Sequence, residues 1–346
     1  MPETQFRVLV IRLSSLGDIV HALPAVAALG ETFPDTEIHW AVEARHAGLL
    51  SGNPYVRRIV PLDTLGWRQR LGSAATWENV ARAMMGLRDM PYDVALDFQG
   101  LWKSAAIGWL SRARERWGFA EGWLREPAAG VLYTERFSPG EGKHVIEINM
   151  ALVERLGARA KSWRFPLPRT DEDDEDVVRR LAALCAGDFI IINPGGGWLS
   201  KCWAPENYAA LIRRLASERR ENILLTGSTA EEGLIQGILA AAGTSRGSYF
   251  PSTVIQYIAL ARRARLFIGG DTGPLHLAAA VGTPIVAIYG PTSPERNGPF
   301  SRADIVLWNR GLVNHTRRGK APAYLPGIRV ESVLAAVRER LAGTHE

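Results

Sequence analysis

Residues 266–292 constrain the fold most, because they read in quick succession as a strand, a tight loop, a short helix and a second strand. Leu266-Phe-Ile268 is an apolar run closed by Gly269 and Gly270, and Pro284-Ile-Val-Ala-Ile-Tyr289 is another. Between them Asp271 or Thr272 can cap a helix start. Pro274 suits a first helical turn, where its missing N–H would have gone unpaired, and Gly282 ends the helix. A crossover this compact puts a helix N-terminus at the carboxyl end of the first strand, where open α/β sheets bind ligands. The N–H groups of Thr272 and Gly273, backed by the helix dipole, form an anion site that suits a diphosphate. The same residues also fit an ordinary βαβ turn in which Asp271 only caps. His276, on so short a helix, fits a core position as well as a ligand contact.

The alternation of strand and helix begins twice. Residues 6–13 read as a strand, Ser14-Ser-Leu-Gly-Asp18 as a loop, 19–29 as a helix ending at Gly30, and 37–42 as the next strand. The loop is not G-x-G-x-x-G, and no G-x-x-x-x-G-K-[ST] occurs, which argues against a dinucleotide fingerprint and a P-loop. Ser14 and Ser15 offer hydroxyls, Gly17 permits close approach, and Asp18 stands where a helix N-cap belongs. Strands at 56–60 and 93–98 and helices at 77–87, 101–110 and 144–156 follow. Residues 166–170 read as a linker, after which Thr170 caps a helix whose acidic first turn complements the helix dipole. The pattern restarts with a strand at 189–192. Asn193-Pro-Gly-Gly-Gly197 comes next, where Gly195 and Gly196 let a ligand approach the backbone. Lys201 can reach an anion lying on that loop. Glu231, after the strand at 221–226, is a candidate for ribose hydroxyls, with helix capping as its other role. A helix at 330–341 closes the chain. The expected organisation is a first domain over 1–166, a second over 171–328, and a terminal segment, 329–346, whose helix packs back on the first domain.

Composition narrows the function. A chain of 346 residues with 47% hydrophobic and 22% charged residues supports two packed domains, and wholesale disorder is excluded. The first residues are polar and the apolar run after them is interrupted by Arg12, so no signal peptide is read. No apolar stretch is long enough to span a membrane. Cys185 and Cys202 lack metal-ligand spacing and point to a reducing, cytoplasmic compartment. The net charge of +5 suits an anionic partner. Six of the 11 tryptophans fall between Trp67 and Trp123, interleaved with Lys103, Arg112, Arg114, Arg116 and Arg125. That segment either grips an anionic amphiphile or nucleic acid, or is a solvated basic turn over a Trp-rich core. No paired carboxylates have the spacing of a dedicated Mg²⁺ site, so neither metal nor cofactor is expected.

Three motifs together carry a resemblance. Val10-Ile-Arg-Leu-Ser-Ser-Leu-Gly-Asp-Ile-Val-His-Ala-Leu-Pro24, Lys201-Cys-Trp203 and Gly270-Asp-Thr-Gly-Pro-Leu-His276 resemble the ADP-heptose:lipopolysaccharide heptosyltransferases, glycosyltransferase family 9, over nearly the whole chain. Gln99-Gly-Leu-Trp-Lys-Ser-Ala105 and Arg125-Glu-Pro127 look more like the heptosyltransferase I branch than heptosyltransferase II. The resemblance implies an α/β chain of GT-B fold, two Rossmann-like domains facing across a cleft, with acceptor on the N-terminal domain and nucleotide sugar on the C-terminal one. It implies inverting transfer of L-glycero-D-manno-heptose from ADP-heptose to Kdo of Kdo2-lipid A, at the cytoplasmic face of the inner membrane and without nucleic acid. Asp18 then matches the general base, Lys201 the contact to donor phosphates, and Glu231 the ribose contact. Asp271, Thr272, Gly273 and His276 match the donor motif, while Lys103 and Arg125 match residues that meet acceptor phosphates or carboxylates, beside Ser14 and Ser15. Around Gly195-Gly-Gly197 the chain departs from the heptosyltransferase I pattern, which carries threonines there. Another family 9 enzyme with a different acceptor or nucleotide sugar, a two-domain epimerase, and a non-catalytic nucleotide-sugar or lipid A binding protein are the competing readings.

Overall fold

The computed structural model describes residues 5–184, 187–312 and 323–343, so Cys185 lies outside the described residues. The chain divides into two compact units, Met1–Pro168 and Arg169–Glu346, each built on one six-stranded sheet. The first unit holds β1 (Arg7–Ile11), β2 (Glu37–Glu43), β3 (Val56–Leu62), β4 (Val94–Asp97), β5 (Glu115–Phe119) and β6 (Glu135–Phe137). The second holds β7 (Phe189–Asn193), β8 (Asn222–Leu225), β9 (Gly247–Tyr249), β10 (Leu266–Gly270), β11 (Ile285–Tyr289) and β12 (Ile305–Trp308). The orders are β3-β2-β1-β4-β5-β6 and β12-β11-β10-β7-β8-β9, and all named pairs are parallel. Counted within its own unit, each sheet has the doubly wound order of a Rossmann fold, and the architecture is GT-B.

The central strands are short and almost wholly apolar because helices cover both faces of a parallel sheet. Val8–Ile11, Ile190–Ile192 and Leu266–Ile268 are fully buried. Such a sheet reverses its winding between β1 and β4 in the first unit, and between β7 and β10 in the second. The loops leaving those four strands are where ligands are expected to bind. In the first unit two of these loops are tied together. Asp97, at the end of β4, accepts hydrogen bonds from Ser104 Oγ and Tyr133 OH at 2.7 Å each, and from the N–H groups of Gln99 at 2.8 Å and Gly100 at 3.2 Å. Gln99 Oε1 in turn accepts from the Leu13 N–H at 2.8 Å. Burial pushes the Asp97 carboxyl up, and the hydrogen bonds oppose it.

Several expectations need correction. The first helix runs Leu16–Thr32, three residues earlier than expected and past Gly30. Its N-cap is Ser15, and Asp18 is the third helical residue rather than the cap. The helix tolerates Pro24 within an otherwise buried apolar run. Residues within the supposed basic turn form β5 instead. The Trp-rich core does not exist: Trp77, Trp102 and Trp109 are exposed, and Trp67, Trp117 and Trp123 are only half-buried. Trp40 and Trp203 are the buried tryptophans. The last helix, Val330–Ala342, seats Val333, Leu334, Val337 and Leu341 in the C-terminal unit's own core beside Leu211, Leu215 and Val286.

Because Tyr133 OH is one of only a few donors to a buried carboxylate, Tyr133→Phe should lower stability by about 1–3 kcal/mol, the cost of leaving a buried acceptor short of a partner. Urea denaturation would measure it, and an unchanged midpoint would mean that Asp97 does not need this bond.

Candidate active site

Each unit gathers its functional side chains at its own switch point. In the first, β1 ends at Ile11 and the next residue, Arg12, turns a buried guanidinium toward the loop. Arg12 donates through Nη1 to the Phe98 carbonyl, and its Nη2 lies 2.5 Å from Asp18 Oδ1. Ser15 donates to the other oxygen, Asp18 Oδ2, from its N–H and from its hydroxyl, at 2.9 Å each. Asp18 thus supports the helix start from inside, as the acidic partner in a capping box does. Burial raises the Asp18 carboxyl, but the charges of Arg12 and Arg125 and the two Ser15 bonds outweigh it and hold the group well below the usual carboxylate range. A depressed carboxylate stabilises the folded state above its unfolded value of about 4, and that contribution is lost as pH falls through the lower folded value. Asp18 is therefore ionised at neutral pH.

The structure thus brings Asp18, Ser15 and the charge of Arg125 together. Ser14 lies half-buried next to Ser15, and Arg125 is exposed. Lys103 stands apart from this group. Its ammonium donates to Thr64 Oγ1 at 3.1 Å and pairs with the buried Glu43 at 3.5 Å. Arg12 was missed as a site residue, although an arginine in an apolar strand needs a charged or carbonyl partner when buried. That was its signal.

In the second unit, Asp271 follows β10 and Lys201 follows the glycine loop after β7. The Lys201 ammonium forms an ion pair with Asp271 Oδ2 and lies 5.0 Å from the Trp198 ring centroid. Asp271 Oδ1 lies 3.2 Å from His276 Nε2 and accepts from Asn297 Nδ2 at 3.0 Å. Burial raises the Asp271 carboxyl, and His276 and Lys201 together drive it far below the usual range. His276 is buried against Asp271. Thr272 is the N-cap of the helix Gly273–Ala280, and its hydroxyl lies 3.4 Å from Asn193 Oδ1. Gly270 allows the Lys201 segment to pass: a Cβ there would sit 3.1 Å from the Lys201 carbonyl oxygen. Asn193 and Asn297 were not anticipated, because a single asparagine after a strand or in a short helix carries no pattern.

A cavity of about 180 Å³ opens beside this cluster, between the glycine loop and the helices Pro205–Glu218 and Glu232–Ala242. Gly195, Gly196, Leu199, Cys202, Tyr208, Leu234, Ile238 and Tyr324 line it, with Glu231 supplying the one carboxylate among the lining residues. Glu231 Oε2 accepts from the Ser228 N–H and hydroxyl at 2.7 Å each, so the capping role expected as its alternative is real. Its Oε1 points at Gly195, where an added Cβ would come within 1.7 Å of it. An apolar slot with one carboxylate at its wall suits a flat base with a sugar diol attached, and the lysine and helix N-terminus next to it suit phosphate. No group of three or more potential metal ligands occurs among the described residues.

Residues 80–324 match glycosyltransferase family 9 (heptosyltransferase). Lipopolysaccharide heptosyltransferase 1 of Pseudomonas aeruginosa is 30% identical over 306 residues, spanning 87% of this chain and 83% of that protein. Among solved structures, Escherichia coli heptosyltransferase WaaC with ADP-2-deoxy-2-fluoro heptose superposes with a TM-score of 0.77 at 25% identity, covering 96% of this chain and 99% of that one. A glycosyl transferase family 9 protein of Veillonella parvula has a TM-score of 0.82 at 20% identity, covering 99% of each chain, and shares the fold.

Two outcomes follow from the geometry. Without its main counter-charge, Asp18 should titrate higher, since burial would then act with less opposition. In Arg12→Gln an acid limb of kcat/KM that the parent lacks should appear in the ordinary carboxylate range. A profile identical to the parent's would show that Arg12 does not set the charge of Asp18. Gly195→Ala should weaken ADP binding about tenfold or more by displacing the Glu231 carboxylate, with the melting temperature nearly unchanged. Unaltered calorimetry would place the nucleotide elsewhere.

Proposed function

Because the chain belongs to glycosyltransferase family 9, we propose that it moves L-glycero-D-manno-heptose from ADP-heptose to a Kdo residue of Kdo2-lipid A, with inversion. The observation that carries this reading is the division of chemistry between two switch points, an ionised carboxylate at one and a lysine with a helix N-terminus at the other. The acceptor hydroxyl oxygen attacks the anomeric carbon while the bond from that carbon to the β-phosphate oxygen breaks. ADP departs with the electron pair, and Asp18 takes the hydroxyl proton. Lys201 and the first-turn N–H groups at Gly273 receive the charge that develops on the diphosphate, which can be done without a metal. Asp271 is committed to Lys201, His276 and Asn297, so it holds the lysine in place rather than accepting a proton. Its side chain is 6% exposed against 19% for Asp18, which leaves Asp18 the more accessible carboxylate. Adenosine occupies the cavity, its ribose against Glu231. Lys103 and Arg125 meet the phosphates or carboxylates of the acceptor, Lys103 by giving up its bond to Thr64. An acceptor with lipid chains places the work at the cytoplasmic surface of the inner membrane.

An ADP-release assay with Kdo2-lipid A, comparing ADP-heptose with UDP- and GDP-sugars, tests the activity. Turnover with ADP-heptose alone is expected, and turnover only with another nucleotide sugar would replace the donor. Asp18→Asn keeps an oxygen for the Ser15 donors but removes the base, so kcat should fall about 10²-fold or more with ADP affinity unchanged. A near-normal kcat would take Asp18 out of the mechanism. Lys201→Ala should weaken ADP by about 1.5–3 kcal/mol, the usual worth of a hydrogen bond to a charged group. Isothermal calorimetry reads this directly, and an unchanged dissociation constant would leave Lys201 with only its structural pair.

A further inference from the structure

The first unit has a surface that the transfer chemistry does not use. In the helix Trp102–Leu110, Ser104, Ala105, Ile107 and Gly108 are buried, and Gly108 lets the helix lie close to β1, since a Cβ there would sit 3.2 Å from Ile11 Cδ1. The opposite stripe is Trp102, Ala106 and Trp109, at the i, i+4, i+7 spacing of one helix face. Trp102 is 48% and Trp109 55% exposed. The helix Ala74–Arg88 buries Thr76, Met84 and Leu87 and presents Trp77, Ala81 and Met85 outward, with Trp77 57% and Met85 58% exposed. The two helices are joined where Arg88 Nε donates to the Leu110 carbonyl at 2.9 Å. On its other side the helix Trp102–Leu110 packs against residues 127–132, where Val131 is 69% exposed. Three neighbouring elements thus each turn large apolar side chains to solvent.

A soluble surface scatters such residues singly, and a contiguous patch marks a contact. The side chains here select the contact. Indoles, with an apolar body and one N–H, concentrate where hydrocarbon meets water. Exposed Arg82 and Arg88 lie on the first of these helices and exposed Arg112 and Arg114 just after the second, against exposed Glu78, Asp89 and Glu115. Arginine stems can lie along an apolar surface while the guanidinium reaches a phosphate layer. We infer that the outer face formed by Ala74–Arg88 and Trp102–Leu110 docks on an anionic phospholipid bilayer, with Trp77, Trp102 and Trp109 at the headgroup level and the arginines on lipid phosphates. The choice of lipid over a protein partner rests on the glycolipid-acceptor reading above, and the patch makes that reading specific about which face meets the membrane.

Flotation of the full chain with vesicles tests it. The protein should float with phosphatidylglycerol–phosphatidylcholine vesicles and far less with phosphatidylcholine alone. The double variant Trp102→Ser with Trp109→Ser should partition at least tenfold more weakly. Arg82→Gln with Arg112→Asn should lose about fivefold per charge on anionic vesicles. Asn is chosen at 112 because that residue has φ 59°, a left-handed conformation that asparagine tolerates. Both double variants should keep wild-type ADP affinity and melting temperature, since all four side chains are exposed. Vesicle binding equal to the parent's in the tryptophan variant would overturn the assignment. So would loss of self-association in that variant with lipid binding intact, which would mark a contact between copies of the chain. Flotation of the parent that depends on the patch, combined with no ADP release from any nucleotide sugar, would support the docking face while removing the transferase activity.

Discussion

A carboxylate buried at the end of a strand must have its charge answered, and in the C-terminal unit this requirement organises the site around Asp271. The charge sits at the carboxyl edge of β10, where burial alone would neutralise it. Lys201 reaches across from the loop after β7, His276 rises from the helix that Asp271 precedes, and Asn297 comes from beyond β11. Three separate segments are therefore held at one point by one anion. The arrangement also explains why glycine ends β10. The backbone that carries Lys201 passes too close to Gly270 for a larger residue to sit without displacement. In the proposed reaction a lysine positioned this way would need little reorganisation to meet a diphosphate, which is the condition under which a charge contact contributes most to catalysis.

The N-terminal unit answers the same problem with an arginine, and the consequences differ. Arg12 directly follows β1, so its position is set close to the sheet, and it bonds both Asp18 and the carbonyl after β4. The Asp97 cluster then ties that second loop to Tyr133 and Ser104. Asp18 is consequently fixed through β1, through β4 and through the start of its own helix by Ser15. The Arg12→Gln and Asp18→Asn experiments probe two parts of one unit, so their effects should not simply add.

The central strands and helices of each unit and the restart at residue 189 could be read from the sequence, because alternating apolar runs and glycine-ended helices carry strong local signals, whereas the strands β5, β6, β9 and β12 could not. Asp271, Thr272 and Gly273 stand out because they follow glycines at a strand end, and Lys201 because it follows the glycine loop after β7. What could not be read was pairing over distance. Arg12 and Asp18 are six residues apart in the chain, yet the helix start that brings them together was placed three residues late. Nothing local connects Asn297 to Asp271 or Glu231 to Gly195. The tryptophans show the opposite failure: their clustering was plain, but periodicity over 102–109 was read as a helix without asking which face the sheet would take. Gly108 and Ser104, both small, mark the buried side and leave the indoles outside.

For the base role proposed for Asp18, its low pKa is at odds with the usual expectation that a general base titrates near working pH. Arg12 lowers the basicity of the carboxylate, and in exchange no fraction of the enzyme is idle through protonation. That exchange is useful when the nucleophile is a sugar hydroxyl and the leaving group is a diphosphate. An alcohol becomes acidic only as its oxygen bonds to the anomeric carbon and gains positive charge, so a strong base is not needed early. What is needed is a full negative charge held at a fixed place, toward which the hydroxyl proton points from the start. Asp18 provides this because both of its oxygens are already anchored, Oδ2 by Ser15 and Oδ1 by Arg12, while carboxylate oxygens keep further lone pairs for the acceptor. In the proposed reaction proton transfer would then come late, after bond breaking to the phosphate has begun, and the step assigned to Lys201 would be the one that makes a weak base sufficient.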